Sequence, residues 1–136
     1  MRLNNIKKAF LASAALLSAM SMSAAERFVS FQQGDLLING NDKVEIYMDA
    51  NDCRGVSYAA NALVKDIRNV SGSQATITSN RKATILVGTI GHSAAIDQLI
   101  KQKRINGNLL KGKREKFIIT VVDNQLVIAG SDRRGT

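Results

Sequence analysis

A short apolar run in the middle of the chain constrains the fold most. Residues 84–87 read Thr-Ile-Leu-Val, and an uninterrupted run of this length is typical of a strand that is buried on both faces of a sheet. Other elements must cover such a sheet. The run therefore predicts a layered fold in which helices pack on a central sheet.

The segment before this run predicts a long helix. Its apolar residues recur at helical spacing and form one stripe, which comprises Val56, Ala59, Ala60, Leu63, Val64, Ile67 and Val70. Asp49, Asn51 and Asp52 precede the stripe and are expected to cap the helix, because their side chains can accept hydrogen bonds from unpaired N–H groups. Gly72 follows the stripe, as is common where a helix ends.

Two further patterns follow the central run. Ser93 is expected to begin a shorter helix whose inward residues are Ala95, Ile96, Leu99 and Ile100. Residues 117–122 and 125–129 are apolar runs that flank Asp123-Asn124. Asp and Asn tolerate positive φ angles, so this pair predicts the turn of a β-hairpin.

Shorter runs predict four more strands, at residues 28–31, 36–38, 44–48 and 75–78. The complete order is then β-β-β-α-β-β-α-β-β. This order predicts an α/β (α+β) fold in which two helices cover a mixed β-sheet.

The amino terminus has the three parts of a secretory signal peptide. Arg2, Lys7 and Lys8 precede an apolar run at residues 9–20, and the small residues Ser23 and Ala25 suit a cleavage site before Glu26. We therefore expect residues 1–25 to be removed and residues 26–136 to form one domain. The expected location is secreted or periplasmic, with no membrane attachment after cleavage.

Individual reactive residues give little sign of catalysis. Cys53 is the only cysteine and is expected to be buried, and His92 is the only histidine. We predict no metal site and no cofactor, since His92 lacks companion ligands at suitable spacing. Glycoside hydrolysis needs two carboxylates, and Asp49 and Asp52 lie close together in the sequence. Their position before a helix favours a capping role instead.

A basic cluster surrounds the loop near Gly107. It includes Lys101, Lys103 and Arg104, and such a cluster could contact a polyanion. The chain has no Trp, two Tyr and four Phe, so few rings are available to stack on bases or sugars. A solvated loop is favoured, and we expect no nucleic acid partner for an exported chain.

Several segments together resemble a known family. They are Ile-Leu-Val-Gly-Thr-Ile-Gly at 85–91, Ile-Asp-Gln-Leu-Ile at 96–100, Gly-Lys-Arg-Glu-Lys-Phe at 112–117 and Leu-Val-Ile-Ala-Gly-Ser-Asp-Arg-Arg-Gly-Thr at 126–136. This set resembles the amino-terminal domain of glycoside hydrolase family 115, the xylan α-1,2-glucuronidases. The most specific element is the final Ala-Gly-Ser-Asp-x-Arg-Gly-Thr.

The resemblance implies a function for a larger protein. Family members remove glucuronic acid, or its 4-O-methyl form, from xylan with inversion, and their catalytic residues belong chiefly to a (β/α)₈ barrel beside the amino-terminal domain. No catalytic residue is therefore assigned to this sequence. The implied partner is that catalytic barrel of the same protein, through which xylan would be bound.

The last residues are expected to form a joint between domains. We assign Asp132, Arg133, Arg134 and Gly135 to this joint, as a helix start whose arginines are free to pair across an interface. Because the sequence ends there, we expect a truncated product or a partial sequence that is inactive alone. Without a following helix, the hairpin at residues 117–129 should be partly uncovered.

Two other functions remain open on the sequence alone. The chain could be a free-standing exported module that binds acidic polysaccharide through Lys101, Lys103 and Arg104. It could also be a small independent enzyme that uses His92.

Overall fold

Five strands form one mixed sheet in a computed structural model that describes residues 35–38 and 42–136. The strands are β1 (Lys43–Met48), β2 (Gln74–Thr78), β3 (Ile85–Thr89), β4 (Phe117–Val122) and β5 (Gln125–Gly130). Their spatial order is β2-β1-β3-β5-β4, with β4 antiparallel to β5 and the other neighbours parallel. Two helices accompany the sheet, so the predicted α/β class is confirmed.

The first helix, α1, spans Arg54–Ser71 and covers one face of the sheet. Val56, Ala60 and Val64 of the predicted stripe are buried against it. α1 packs mainly against β1, β2 and β3. It ends at Gly72, whose φ of 74° is left-handed and whose N–H donates to the Arg68 carbonyl at 3.1 Å, as the sequence predicts.

The second helix, α2, spans Ala94–Lys101 and lies on the opposite face. Ser93 caps it by accepting a hydrogen bond from the Ile96 N–H. The residues of β3 alternate between the two faces: Ile85 and Val87 join the core beneath α1, whereas Leu86 joins the core beneath α2. The central run is therefore buried on both sides, as predicted.

The hairpin of β4 and β5 is also confirmed. Asp123 and Asn124 have φ angles of 51° and 61°, and two consecutive positive φ values match the twist of paired strands. The register places Ile119 opposite Ile128.

One face of β4 is open to solvent. Phe117, Ile119 and Val121 are 61%, 58% and 46% exposed, whereas Ile118 and Val122 turn toward the core beneath α2. β4 is an edge strand, and α1 packs mainly on strands at the other side of the sheet. The expected partly uncovered hairpin is thus confirmed on the α1 side.

The prediction of a strand at residues 36–38 is wrong. These residues have no strand conformation, although Ile38 packs against the core beneath α1. β1 already has β2 and β3 as neighbours, so no vacant position remains beside it. The predicted strand at 28–31 and the signal peptide lie outside the described residues.

Within the described ranges, no helix combines the length and apolar character that a membrane span requires.

Candidate functional site

The chain segment after β5 forms a single helical turn. The Asp132 carboxylate accepts hydrogen bonds through Oδ1 from the N–H groups of Arg134 and Gly135, each at 2.9 Å. The Asp132 carbonyl accepts from the N–H of Thr136 at 3.1 Å, which is the spacing of an α-helical hydrogen bond. Residues 132–136 therefore have the geometry of a capped helix start.

The same carboxylate also binds the segment that leads into β4. Its Oδ2 accepts from the Glu115 N–H at 2.9 Å. The backbone N–H groups of Glu115, Gly135 and Arg134 hold the pKa of Asp132 below its usual value of 3.8, and the positive charge of Arg114 acts in the same direction. Desolvation opposes these effects and does not cancel them. Asp132 is consequently an anion at neutral pH.

Two more hydrogen bonds fix the turn against Lys116, the residue before β4. The Ser131 N–H donates to the Lys116 carbonyl at 2.8 Å, and the Lys116 N–H donates to Ser131 Oγ at 3.0 Å. Gly135 is buried, and a Cβ there would collide with the Lys116 carbonyl. Glycine is required because the two backbones are in direct contact.

The turn also contacts the centre of the sheet. Thr136 Oγ1 lies 2.8 Å from Oγ1 of Thr89, a buried residue at the end of β3. A Cβ at Gly130 would collide with Thr136. Sequence reasoning did not predict this contact, because nothing local connects residues 47 positions apart.

The two arginines of the predicted joint differ. Arg134 Nη1 lies 3.1 Å from Glu115 Oε1, so Arg134 forms an ion pair within this domain. Arg133 is exposed, and its side chain forms no hydrogen bond or ion pair with residues 35–38 or 42–136. Among the residues that the structure describes, Arg134 therefore has a partner in this domain, whereas Arg133 has none.

The basic residues near Gly107 differ in their contacts. Arg104 forms an ion pair with Asp123. Lys103, at a left-handed φ of 58°, lines a cleft of about 530 Å³ together with Lys111 and the isoleucines 90, 100 and 105. Lys101 is exposed in the last turn of α2 and does not line this cleft.

Asp49 and Asp52 do not cap α1 as predicted. The first residue outside α1 is Cys53, which provides no side-chain cap. Asp52 Oδ1 accepts from the N–H of Cys53 itself at 2.7 Å, Asp52 Oδ2 accepts from the Thr89 N–H at 2.7 Å, and Asp49 Oδ2 accepts from the Ala94 N–H at 3.2 Å. Both carboxylates therefore connect the β1–α1 loop to the end of β3 and the start of α2, positions that only the fold brings together.

Cys53 and His92 are the other residues whose side chains could react. Cys53 is half-buried rather than buried, since it lies at the start of α1. His92 is exposed, and its backbone N–H donates to the Thr89 carbonyl at 3.1 Å. No group of three or more metal-binding side chains occurs in the part of the chain that the structure describes.

The chain therefore forms an α/β domain with one helix on each face of a mixed sheet and a capped turn after the fifth strand. Neither a protein family profile nor a curated protein matches the sequence. A solved structure does match: a family GH115 4-O-methyl-α-glucuronidase with specificity for decorated arabinogalactans, at a TM-score of 0.61 and 34% identity.

This match covers 71% of the present chain and 12% of the glucuronidase chain. It supports the interpretation of the chain as a GH115-like amino-terminal domain. The chain contains a glycosidase-related domain.

Proposed function

We propose that this chain is the non-catalytic amino-terminal domain of a family 115-like α-glucuronidase and is inactive alone. The observation that carries the proposal is the similarity, at 34% identity, to a region that makes up 12% of a glucuronidase chain. In the proposed protein, a catalytic barrel of the same polypeptide is the partner of this domain. The protein is exported, and its signal peptide is cleaved near Ala25.

The carboxylates of the domain support a structural role. Glycoside hydrolysis by inversion needs an acid and a base on either side of the sugar, with space for a water molecule. Asp49 and Asp52 each bind backbone N–H groups of neighbouring segments. Such contacts fix these side chains within the fold and leave them poorly placed to transfer protons to a substrate.

The proposed substrate of the complete protein is a polysaccharide that carries glucuronic acid or its 4-O-methyl form, removed with inversion. The resemblance to glycoside hydrolase family 115 implies xylan as the polymer. The similar glucuronidase is specific for decorated arabinogalactans, so arabinogalactan side chains are a second polymer to test.

Release of glucuronate from glucuronoxylan and from decorated arabinogalactan tests the proposal. The purified 136-residue chain is expected to release none from either polymer. Release that persists through purification and disappears in the variants Asp49→Asn or Asp52→Asn would overturn the non-catalytic role. Release that disappears in His92→Ala would likewise overturn the non-catalytic role and indicate an independent enzyme that uses His92.

The alternative is an exported basic module that binds acidic polysaccharide. The cleft lined by Lys103 and Lys111 favours it, because ammonium groups beside apolar side chains suit an acidic sugar. The ion pair of Arg104 with Asp123 disfavours it. Retention on glucuronoxylan that decreases with added salt and in Lys103→Ala would support this alternative.

A further inference from the structure

We propose that the outer edge of β4 is an interaction surface for a second copy of this chain. The two β4 strands pair antiparallel about a two-fold axis, and Ile119 of each copy lies opposite Ile119 of the other. The inference goes beyond the proposed function and does not depend on it. Three observations on the described residues support it: the backbone groups of β4, its side chains and the charges at its ends.

The first observation is a row of backbone groups at the edge of the sheet. β4 is an edge strand, and β5 is its only neighbour in the sheet that the structure describes. The Lys116 carbonyl accepts from the Ser131 N–H on the β5 side, so alternation directs the backbone groups of the even-numbered residues of β4 toward β5. Those of the odd-numbered residues point outward and form no hydrogen bond with residues 35–38 or 42–136. Such a row can pair with a further strand.

The second observation is that one register pairs every exposed apolar side chain of β4 with another. Phe117, Ile119 and Val121 are exposed on the same face and belong to the odd-numbered set. With Ile119 opposite its own copy, Phe117 of each chain lies opposite Val121 of the other. Opposed residues of this kind exchange both of their backbone hydrogen bonds. Pairs of aromatic and β-branched side chains are favourable neighbours across two strands.

The neighbouring registers are less favourable. Pairing centred on residue 120 would place Phe117 opposite Asp123 of the second copy, and pairing centred on residue 118 would place Val121 opposite Glu115. Each of these registers opposes a carboxylate to an apolar side chain. Asp123 also lies in the turn at a positive φ, outside the strand conformation that pairing requires. The register centred on Ile119 is therefore preferred.

The third observation concerns the charge at the start of β4. Lys116 immediately precedes the strand, and parallel pairing would bring the two Lys116 residues to the same end of the interface. Antiparallel pairing places each Lys116 opposite Val122 of the other copy. The two ammonium groups are then roughly 20 Å apart along the strands, which exceeds the screening length of about 8 Å at physiological salt. Charge repulsion therefore favours the antiparallel arrangement.

Charged variants test the pairing. The 136-residue chain is expected to show a concentration-dependent dimer in sedimentation equilibrium. Ile119→Lys should raise the dissociation constant by about tenfold or more, because it sets two like charges directly opposite each other, and Ile119→Glu should do the same. An equimolar mixture of these two variants should dimerise again. Ile77→Lys, an exposed position on the opposite edge strand β2, is the control and should leave the dimer unchanged.

Disulfide cross-links test the register. Opposed residues that exchange both hydrogen bonds have Cα atoms about 5.5 Å apart, a separation that a disulfide can span. In a Cys53→Ser background, with oxidised glutathione as the oxidant, Ile119→Cys should form a cross-linked dimer by itself. Phe117→Cys should not, but it should cross-link when mixed with Val121→Cys.

Several outcomes would overturn the inference. One is a folded chain that remains monomeric up to about 1 mM, which would assign the edge of β4 to a different partner. Others are a dimer that Ile119→Lys leaves intact, and a mixture of the lysine and glutamate variants that stays monomeric although circular dichroism shows both to be folded. Efficient cross-linking of Phe117→Cys alone would exclude the register. None of these measurements depends on glucuronate release.

Discussion

The Asp132 carboxylate accepts a hydrogen bond from the Glu115 N–H at 2.9 Å, although 17 positions separate the two residues in the chain. This contact joins the second residue after β5 to the second residue before β4. The same carboxylate accepts from Arg134 and Gly135. One anionic side chain therefore closes the hairpin and begins the turn beyond it.

We expect this contact to make stability depend on pH. The pKa of Asp132 is lower in the folded chain than its usual 3.8, so its contribution to stability is complete above that value and is lost as the pH falls through the folded pKa. Asp132→Asn keeps a capping oxygen but removes the charge. Urea unfolding should show the variant less stable at pH 7, with the difference shrinking below pH 3.8. An equal difference at pH 7 and pH 3 would contradict this account.

Gly135 should tolerate no side chain. A Cβ there meets the Lys116 carbonyl, so Gly135→Ala is expected to destabilise the domain by about 1–3 kcal/mol, as overpacked substitutions do. Gly55→Ala is the control, because it has only ordinary contacts and lies in α1, where Ala is favoured by up to about 1 kcal/mol. Thermal unfolding of both variants measures the contrast. Similar midpoints for the two would show that the backbones do not touch as described.

The segment at residues 105–110 should contribute strongly to stability. Leu110 is fully buried in the core beneath α2, whereas the adjacent Leu109 is 57% exposed. Leu110→Ala is therefore expected to cost about 2–5 kcal/mol, and Leu109→Ala about 0.5 kcal/mol or less. Denaturant titration of the two variants compares neighbours of identical chemistry. Equal losses would mean that the segment is not part of the core.

Asp52 should be important for stability rather than for catalysis. Its Oδ2 accepts from the N–H of Thr89, which is buried. Asp52→Ala leaves that donor without its partner, at an expected cost of about 1–3 kcal/mol. Asp66→Ala, an exposed position on α1, serves as the control with a change within about 0.5 kcal/mol. A stable Asp52→Ala variant would indicate that water replaces the carboxylate.

Local sequence patterns predicted the elements whose signals are local. The stripe of α1 repeats with the helical period, and the turn at Asp123-Asn124 depends on the φ preferences of two residues. The burial of β3 on both faces also followed from its composition alone. Residues 36–38 show the limit of this reasoning: a short apolar run becomes a strand only where the fold brings it beside a free sheet edge, whereas Ile38 packs against the core beneath α1.

Tertiary structure decided what depends on distant partners. No local pattern places β5 between β3 and β4, and no local pattern directs Asp52 Oδ2 to Thr89 rather than to the N–H groups at the start of α1. The turn at residues 132–136 also depends on a distant partner. The sequence identified Asp132 as a capping residue, but its second bond, to Glu115, exists because the hairpin returns the chain to that point. Backbone periodicity and φ preferences act within a few residues, whereas strand order and the partners of polar groups are fixed by which surfaces pack together.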